Sequence, residues 1–213
     1  MSLVAVSIVV LGKLKDEIER IGRRALEKGL IKILPRNPNI LTVSSLLIAF
    51  PTPLIVLMHV YWAYITALVL LILASGFDML DGLVARYWGR TSKLGAFLDS
   101  TLDRYVDFIA LIDLWLIHDG GFLGTIFLLL ALLGSLMTSY ARARAEALGV
   151  RMLGVGLLER EERLLLILAI LIIYIITQLG SIIFYGLLLL AVLTNVTAVE
   201  RLLVVVKSLS GGP

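Results

Sequence analysis

The sequence has no cysteine and only two histidines, His59 and His118, among its 213 residues. Without cysteine there is no disulfide framework and no thiolate metal site, although this alone names no compartment. The opening MSLVAVSIVVLGKLKDE lacks the signal-peptide pattern. Its positive charges follow the apolar run instead of preceding it, and no small-residue cleavage site is evident, so no cleavable leader is expected. Nothing in the composition marks a second folding unit. What the chain has in excess is apolar surface: 60% of its residues are hydrophobic, above the level of a soluble globular domain, which argues for a membrane protein.

Crossing the hydrocarbon layer takes roughly 20 apolar residues. Six stretches approach that length, at residues 40–59, 62–80, 96–116, 123–140, 164–179 and 182–206. Gly, Pro or polar clusters separate them. Before them, residues 13–34 place Ile18, Ile21, Leu26, Leu30 and Leu34 near one helical face amid dense charge, the pattern of a helix lying in the interface plane. An ordinary solvated helix would read similarly, but a membrane span follows at once. The expected fold is therefore an all-α integral membrane protein. Residues 1–36 form an N-terminal segment with a cytoplasmic amphipathic juxtamembrane helix, and residues 37–213 form a domain of six transmembrane helices.

The net charge is only +3, so distribution carries the information. Of the 19 Lys and Arg, eight lie between Lys13 and Arg36, three (Arg86, Arg90, Lys93) between spans two and three, and five (Arg142, Arg144, Arg151, Arg160, Arg163) between spans four and five. Lys207 follows span six, and Arg104 and Arg201 fall inside or near helix ends. The other three connections have none. Positive residues collect in cytoplasmic loops, which predicts a multi-pass protein of the cell membrane with both termini cytoplasmic.

Ionisable groups at membrane depth are costly and default to a functional reading. Asp78 and Asp81 are three apart at the end of span two, and Asp99 and Asp103 are four apart at the start of span three. Those spacings put each pair on one helix face, both on the predicted cytoplasmic side. Four facing carboxylates repel unless cations neutralise them. Oxygen-rich surroundings without cysteine favour a hard ion, Mg2+ or Mn2+, and such ions usually bind substrate phosphates as well. The plainer alternative, acids that only cap helices or pair with Arg86 and Arg90, suits one aspartate better than four. Gly82, Ala85 and Gly95 keep the neighbouring positions small, so that a backbone or a ligand can come close.

Taken together, Asp78-Met-Leu-Asp81-Gly82-Leu-Val-Ala85-Arg86, eight further residues, then Gly95-Ala-Phe-Leu-Asp99-Ser-Thr-Leu-Asp103 resembles the complete signature of the CDP-alcohol phosphotransferases. Pro38-Asn39 with Thr42 resembles the family as well, although Asn37 replaces the more usual residue before the proline. The resemblance implies transfer of a substituted phosphate from a CDP-linked donor to an alcohol, with release of CMP. It implies that Asp78, Asp81, Asp99 and Asp103 ligate two metal ions, and that Asp103 is the catalytic base. CDP binding would fall to Asn39, Thr42, Asp78, Asp81, Gly82, Ala85, Arg86, Gly95 and Asp99. The family also implies a homodimer. No nucleic-acid partner is expected.

The segment after span four, SYARARAEALG followed by GLLEREER, resembles the phosphatidylinositol-phosphate and archaetidylinositol-phosphate synthases within that family. There the donor would be CDP-diacylglycerol or its ether-lipid counterpart, CDP-archaeol, and the acceptor inositol 1-phosphate, a phosphorylated polyol. Arg142, Arg144, Arg160 and Arg163 would grip the acceptor phosphate, since the planar guanidinium fork bonds it bidentately. Plain positive-inside charge, touching membrane lipid headgroups, is the competing reading. Glycerol 3-phosphate as acceptor, or CDP-inositol as donor, are alternatives inside the family. Asp107 continues the Asp99–Asp103 stripe and either supports the site or pairs with Arg104; deeper still, Asp113 is expected to make a polar contact between helices. A small transporter is the reading from another class, but the acids sit near one surface and beyond Asp113 no polar trail crosses the span.

Overall fold

The computed structural model describes Arg20, Arg24 and residues 29–118, 121–152 and 154–210. The amphipathic helix expected over residues 13–34 lies mostly outside the described residues, which take up near its end with a single 3-10 turn, Leu30–Lys32. Among the described residues there is no strand, and there are seven α-helices. These are α1 (Pro38–Ala49), α2 (Thr52–Val56), α3 (Tyr61–Tyr87), α4 (Lys93–Ile117), α5 (Phe122–Ala147), α6 (Arg160–Thr177) and α7 (Gly180–Ser210). The second, third, fourth and sixth apolar stretches each fall within one helix, whereas the first is interrupted and runs past the end of α2, and the fifth runs two residues past α6.

The first stretch is divided, because Pro51 offers no N–H and its ring crowds the carbonyl four residues earlier. The helix therefore breaks after Ala49 and resumes at Thr52. Asn37 starts α1 by accepting the Asn39 N–H at 3.1 Å, with Pro38 at the first helical position. At α6, Glu159 and Glu162 form a reciprocal capping box, and Glu161 and Glu162 add negative charge to the first turn.

Among the described residues, four segments are long and apolar enough to cross a membrane: Pro38–Val56, Tyr61–Tyr87, Phe122–Ala147 and Gly180–Ser210. α4 and α6 fall short of that composition because they carry charge, Asp99, Asp103, Arg104, Asp107 and Asp113 on α4 and Arg160 to Arg163 on α6. With 27 residues, α3 measures about 40 Å, longer than the hydrocarbon layer of about 30 Å, so polar turns at its end need not be immersed. Leu47, Leu54, Ile176 and Leu203 are all more than 60% exposed, apolar surface that suits lipid and not water.

The chain divides into two compact units. The first joins the described residues up to Phe50 with Leu70–Val106. Its core is Leu41, Leu83 and Val84, with Ile31, Leu34, Phe77, Met79 and Leu80 packed against it.

The second joins Pro51–Val69 with the described residues from Asp107 onward. Here α5 and α7 interlock at Gly134, where a Cβ would collide with Thr194 Oγ1 and with the Asn195 backbone nitrogen. The close approach lets Asn195 Nδ2 donate to the Leu130 carbonyl at 2.8 Å and Thr138 Oγ1 to that of Thr194 at 3.2 Å. The loop between α5 and α6 is bonded to α7. Leu157 N donates to Glu200 Oε2 at 3.1 Å, Leu158 N to Thr197 Oγ1 at 3.0 Å, and Arg201 Nε to the Val155 carbonyl at 2.8 Å. Gly156 makes this contact practicable, with a φ of +120° and a missing Cβ that would strike the Thr197 methyl.

Candidate active site

The four signature aspartates all belong to the first unit, two from the end of α3 and two from the first turns of α4. Carboxylate oxygens of Asp78, Asp99 and Asp103 lie within 4.8 Å of one another. Two like charges at that distance cost roughly 3–4 kcal/mol at an effective dielectric of 20. Arg104, with Nη1 3.8 Å from Asp103 Oδ2, offsets a part of this. The donor set fits a hard divalent ion. Opposite oxygens around an octahedral Mg2+ stand roughly 4.2 Å apart, so small side-chain movements bring these three into one shell.

Asp81 has a different environment. It is 5% exposed and accepts a hydrogen bond of 2.5 Å from Thr42 Oγ1. That bond ties α1 to α3 and fixes which way this carboxylate faces. Asn39 lies one turn before Thr42 on α1, and its Oδ1 would be 3.2 Å from a Cβ at Gly95. Gly95 N itself donates to Ser92 Oγ at 3.0 Å, which caps the start of α4. Gly95 thus allows α4 to begin against Asn39. The constraint at Gly82 is of another kind. A Cβ there would meet only the Arg86 guanidinium of its own helix, at an ordinary 3.5 Å. Among the described residues no neighbouring helix comes within 4 Å of that Cβ, so helix packing does not require the position to be small. Ala85 and Arg86 complete this stretch of α3, with Arg86 exposed. Arg90 is not drawn toward the acids by any contact described; its Nη1 donates to the Arg36 carbonyl at 3.4 Å.

A second charged group occupies the other unit. Arg142 Nε donates to Glu146 Oε1 at 2.9 Å, an exposed pair one helical turn apart. Arg160, with a side chain 21% exposed, has Nε 3.7 Å from Asp107 Oδ1. Arg163 is 1% exposed and donates from Nη2 to Asp107 Oδ2. Of the two roles open to Asp107, pairing with Arg104 is not the one found: Arg104 stands beside Asp103, and Asp107 takes α6 as its partner. Arg144 remains exposed and outside this group. Asp113 meets expectation, accepting from Thr52 Oγ1 at 2.6 Å in a fully buried contact between α4 and α2.

Arg201 is a further buried charge of this unit that the sequence pattern does not single out. It is 3% exposed, donates through Nη1 to the Thr138 carbonyl at 2.8 Å, and has Nη2 3.6 Å from Glu159 Oε1. The charges of Arg142, Arg163 and Glu146 also act on it. The signal was an ionisable residue inside an apolar run, LTNVTAVERLLVVV, and counting it with helix-end charge concealed that.

An archaetidylinositol phosphate synthase of Pyrococcus horikoshii is 37% identical over 204 residues, covering 94% of this chain and 96% of its own. A crystal structure of Mycobacterium tuberculosis phosphatidylinositol phosphate synthase with CDP-DAG bound superposes with a TM-score of 0.71 at 31% identity, covering 89% of this chain and 93% of that one. The same enzyme in complex with manganese and citrate gives 0.69 at 32% identity, covering 87% of each chain. The family model for CDP-alcohol phosphatidyltransferases matches residues 36–197, and the chain belongs to that family.

Proposed function

We propose that this chain transfers the lipid-bearing phosphate of CDP-diacylglycerol or CDP-archaeol to inositol 1-phosphate and releases CMP. The observation that carries the reading is the convergence of Asp78, Asp99 and Asp103 within 4.8 Å, inside an unbroken family signature. Support comes from the relatives. One is named an archaetidylinositol phosphate synthase, and a solved phosphatidylinositol phosphate synthase was captured with CDP-DAG.

Asp78, Asp81, Asp99 and Asp103 would hold two Mg2+ or Mn2+ ions; when bound, these offset charge on the pyrophosphate and on the leaving CMP. The manganese complex of the solved relative supports a divalent ion here. Asn39, Thr42, Gly82, Ala85, Arg86 and Gly95 shape the CDP site. Asp103 takes the proton of the attacking hydroxyl while the new O–P bond forms and the bond from phosphorus to the CMP oxygen breaks. A carboxylate serves as base when its surroundings are tuned for it.

Arg142 and the half-buried Arg160 contact the acceptor phosphate, with Arg144, Arg163 and Arg201 adding positive charge. The exposed pairing of Arg142 with Glu146 is worth only about 0.3–0.5 kcal/mol, so a phosphate readily replaces it. Six helices, α1 with α2, then α3 to α7, span the cell membrane behind an interfacial segment over residues 1–36. Both termini and the active site face the cytoplasm, and the protein works as a homodimer.

The test is purified protein, labelled CDP-lipid and a panel of phosphorylated and free alcohols. Labelled lipid product and CMP should form with inositol 1-phosphate and hardly at all with free inositol. Preference for glycerol 3-phosphate would move the chain to the glycerophosphate branch of its family. Solute uptake into liposomes without CMP release would replace the enzyme reading with transport.

A further inference from the structure

One buried carboxylate has no part in this chemistry. Asp107 is 3% exposed and lies between two guanidinium groups of α6. Its Oδ2 accepts from Arg163 Nη2, and its Oδ1 stands 3.7 Å from Arg160 Nε, an ion-pair separation with no hydrogen bond between the two atoms. The two arginines differ in reach. Arg163 is 1% exposed, and its Nε and Nη1 are buried without a hydrogen-bond partner. Arg160 keeps 21% of its side-chain surface. Arg163 is thus enclosed by protein, whereas Arg160 keeps surface that a ligand can reach. Buried ion pairs seldom add net stability over apolar side chains of similar size, since desolvation offsets the attraction. What such a pair does supply is a fixed geometry for its members.

We propose that Asp107 is a positioning residue for the acceptor. Fixed through one oxygen by buried Arg163, it uses the other to aim the Arg160 guanidinium toward incoming phosphate. This rests on Arg160 being an acceptor-phosphate ligand. Arginine has much rotamer freedom, and ordering such a side chain only upon binding weakens affinity by about two- to tenfold. Asp107 removes that loss by ordering Arg160 beforehand. It touches no substrate, so its effect must pass through Arg160.

The experiment compares wild type, Asp107→Asn, Asp107→Glu, Arg160→Ala and the two Asp107 changes combined with Arg160→Ala. The full chain is assayed with CDP-lipid and inositol 1-phosphate. The Asp107 variants should raise the acceptor KM about two- to tenfold, with donor KM and kcat within twofold of wild type. In the Arg160→Ala background they should add nothing, because the residue they act through is gone. A purely structural role would lower kcat and raise both KM values together, and that result overturns the proposal. So does an Asp107 effect of undiminished size in the Arg160→Ala background. If Asp107→Asn does not fold, with Arg163 left unpaired, Asp107→Glu keeps the negative charge and decides the matter alone. Arg160→Ala with an unchanged acceptor KM would overturn the acceptor-site reading, and the proposal with it. Arg160→Ala with a raised KM beside neutral Asp107 variants would overturn the proposal only.

Discussion

Replacing Thr42 with valine removes one hydroxyl and keeps the shape of the side chain. That hydroxyl donates to Asp81 at 2.5 Å, in a place where both residues are at least 95% buried. Water cannot easily substitute, so the variant leaves a carboxylate oxygen without its donor. Hydrogen bonds to charged groups are worth roughly 1.5–3 kcal/mol. Expressed in kcat/KM for the CDP-lipid donor, that becomes a loss of about ten- to a hundredfold. The loss arises because Asp81 is no longer held in the orientation that serves metal and donor. Thr42→Ser keeps the donor group and should remain within about threefold of wild type, which separates hydrogen bonding from packing. The assay is initial rate against donor concentration at saturating acceptor and Mg2+, with thermal unfolding in detergent to exclude simple misfolding. Thr42→Val with wild-type kcat/KM and an unchanged unfolding midpoint would refute the reasoning, since the bond would then carry neither function nor stability.

Exhaustive EDTA treatment should abolish CMP release, and Mg2+ or Mn2+ should restore it; Ca2+ should restore little, because its longer and looser coordination misplaces the reacting oxygens. Asp78→Asn should weaken donor and metal binding together, whereas Asp103→Asn should lower kcat far more than it raises the donor KM, both read from steady-state kinetics. Gly95→Ala should be harmful to folding as well as to turnover, since its Cβ would press to 3.1 Å from Ser92 Oγ and 3.2 Å from Asn39 Oδ1. Gly82→Ala should leave the unfolding midpoint within about 1 °C, its Cβ meeting nothing closer than 3.5 Å, while raising the donor KM; equal damage from the two glycines would contradict the space assigned to CDP.

The parts of the fold that were legible in the sequence are those set by local rules. Spacings of three and four on a helix decide by themselves that Asp78 with Asp81, and Asp99 with Asp103, share a face. Apolar length placed the helices, and a single local residue, Pro51, explains the interruption of the first. What escaped was set by pairs distant in the chain. Thr42 and Asp81 are 39 residues apart, and Asp107 and Arg163 are 56 apart. No periodicity announces such partners, and for Asp107 the sequence left pairing with the nearby Arg104 open beside a role at the site. Arg201 stands in a legible apolar run, but its partners, the Thr138 carbonyl and Glu159, are again distant in the chain.

The bonds from Glu200, Thr197 and Arg201 to the segment before α6 also bear on how the protein is made. That segment is synthesised some 40 residues ahead of the side chains that satisfy its backbone. Emerging from the ribosome, residues 155–158 have no template on which to settle, and Leu157 and Leu158 must leave their amide groups to water or to the translocation machinery until the final helix has been inserted. Domains are ordinarily completed from the N-terminus onward, but here residues 155–158 wait for α7. A nascent chain stalled before Thr197 would thus carry the aspartates of α3 and α4 in full, yet have the entry to α6 unfastened.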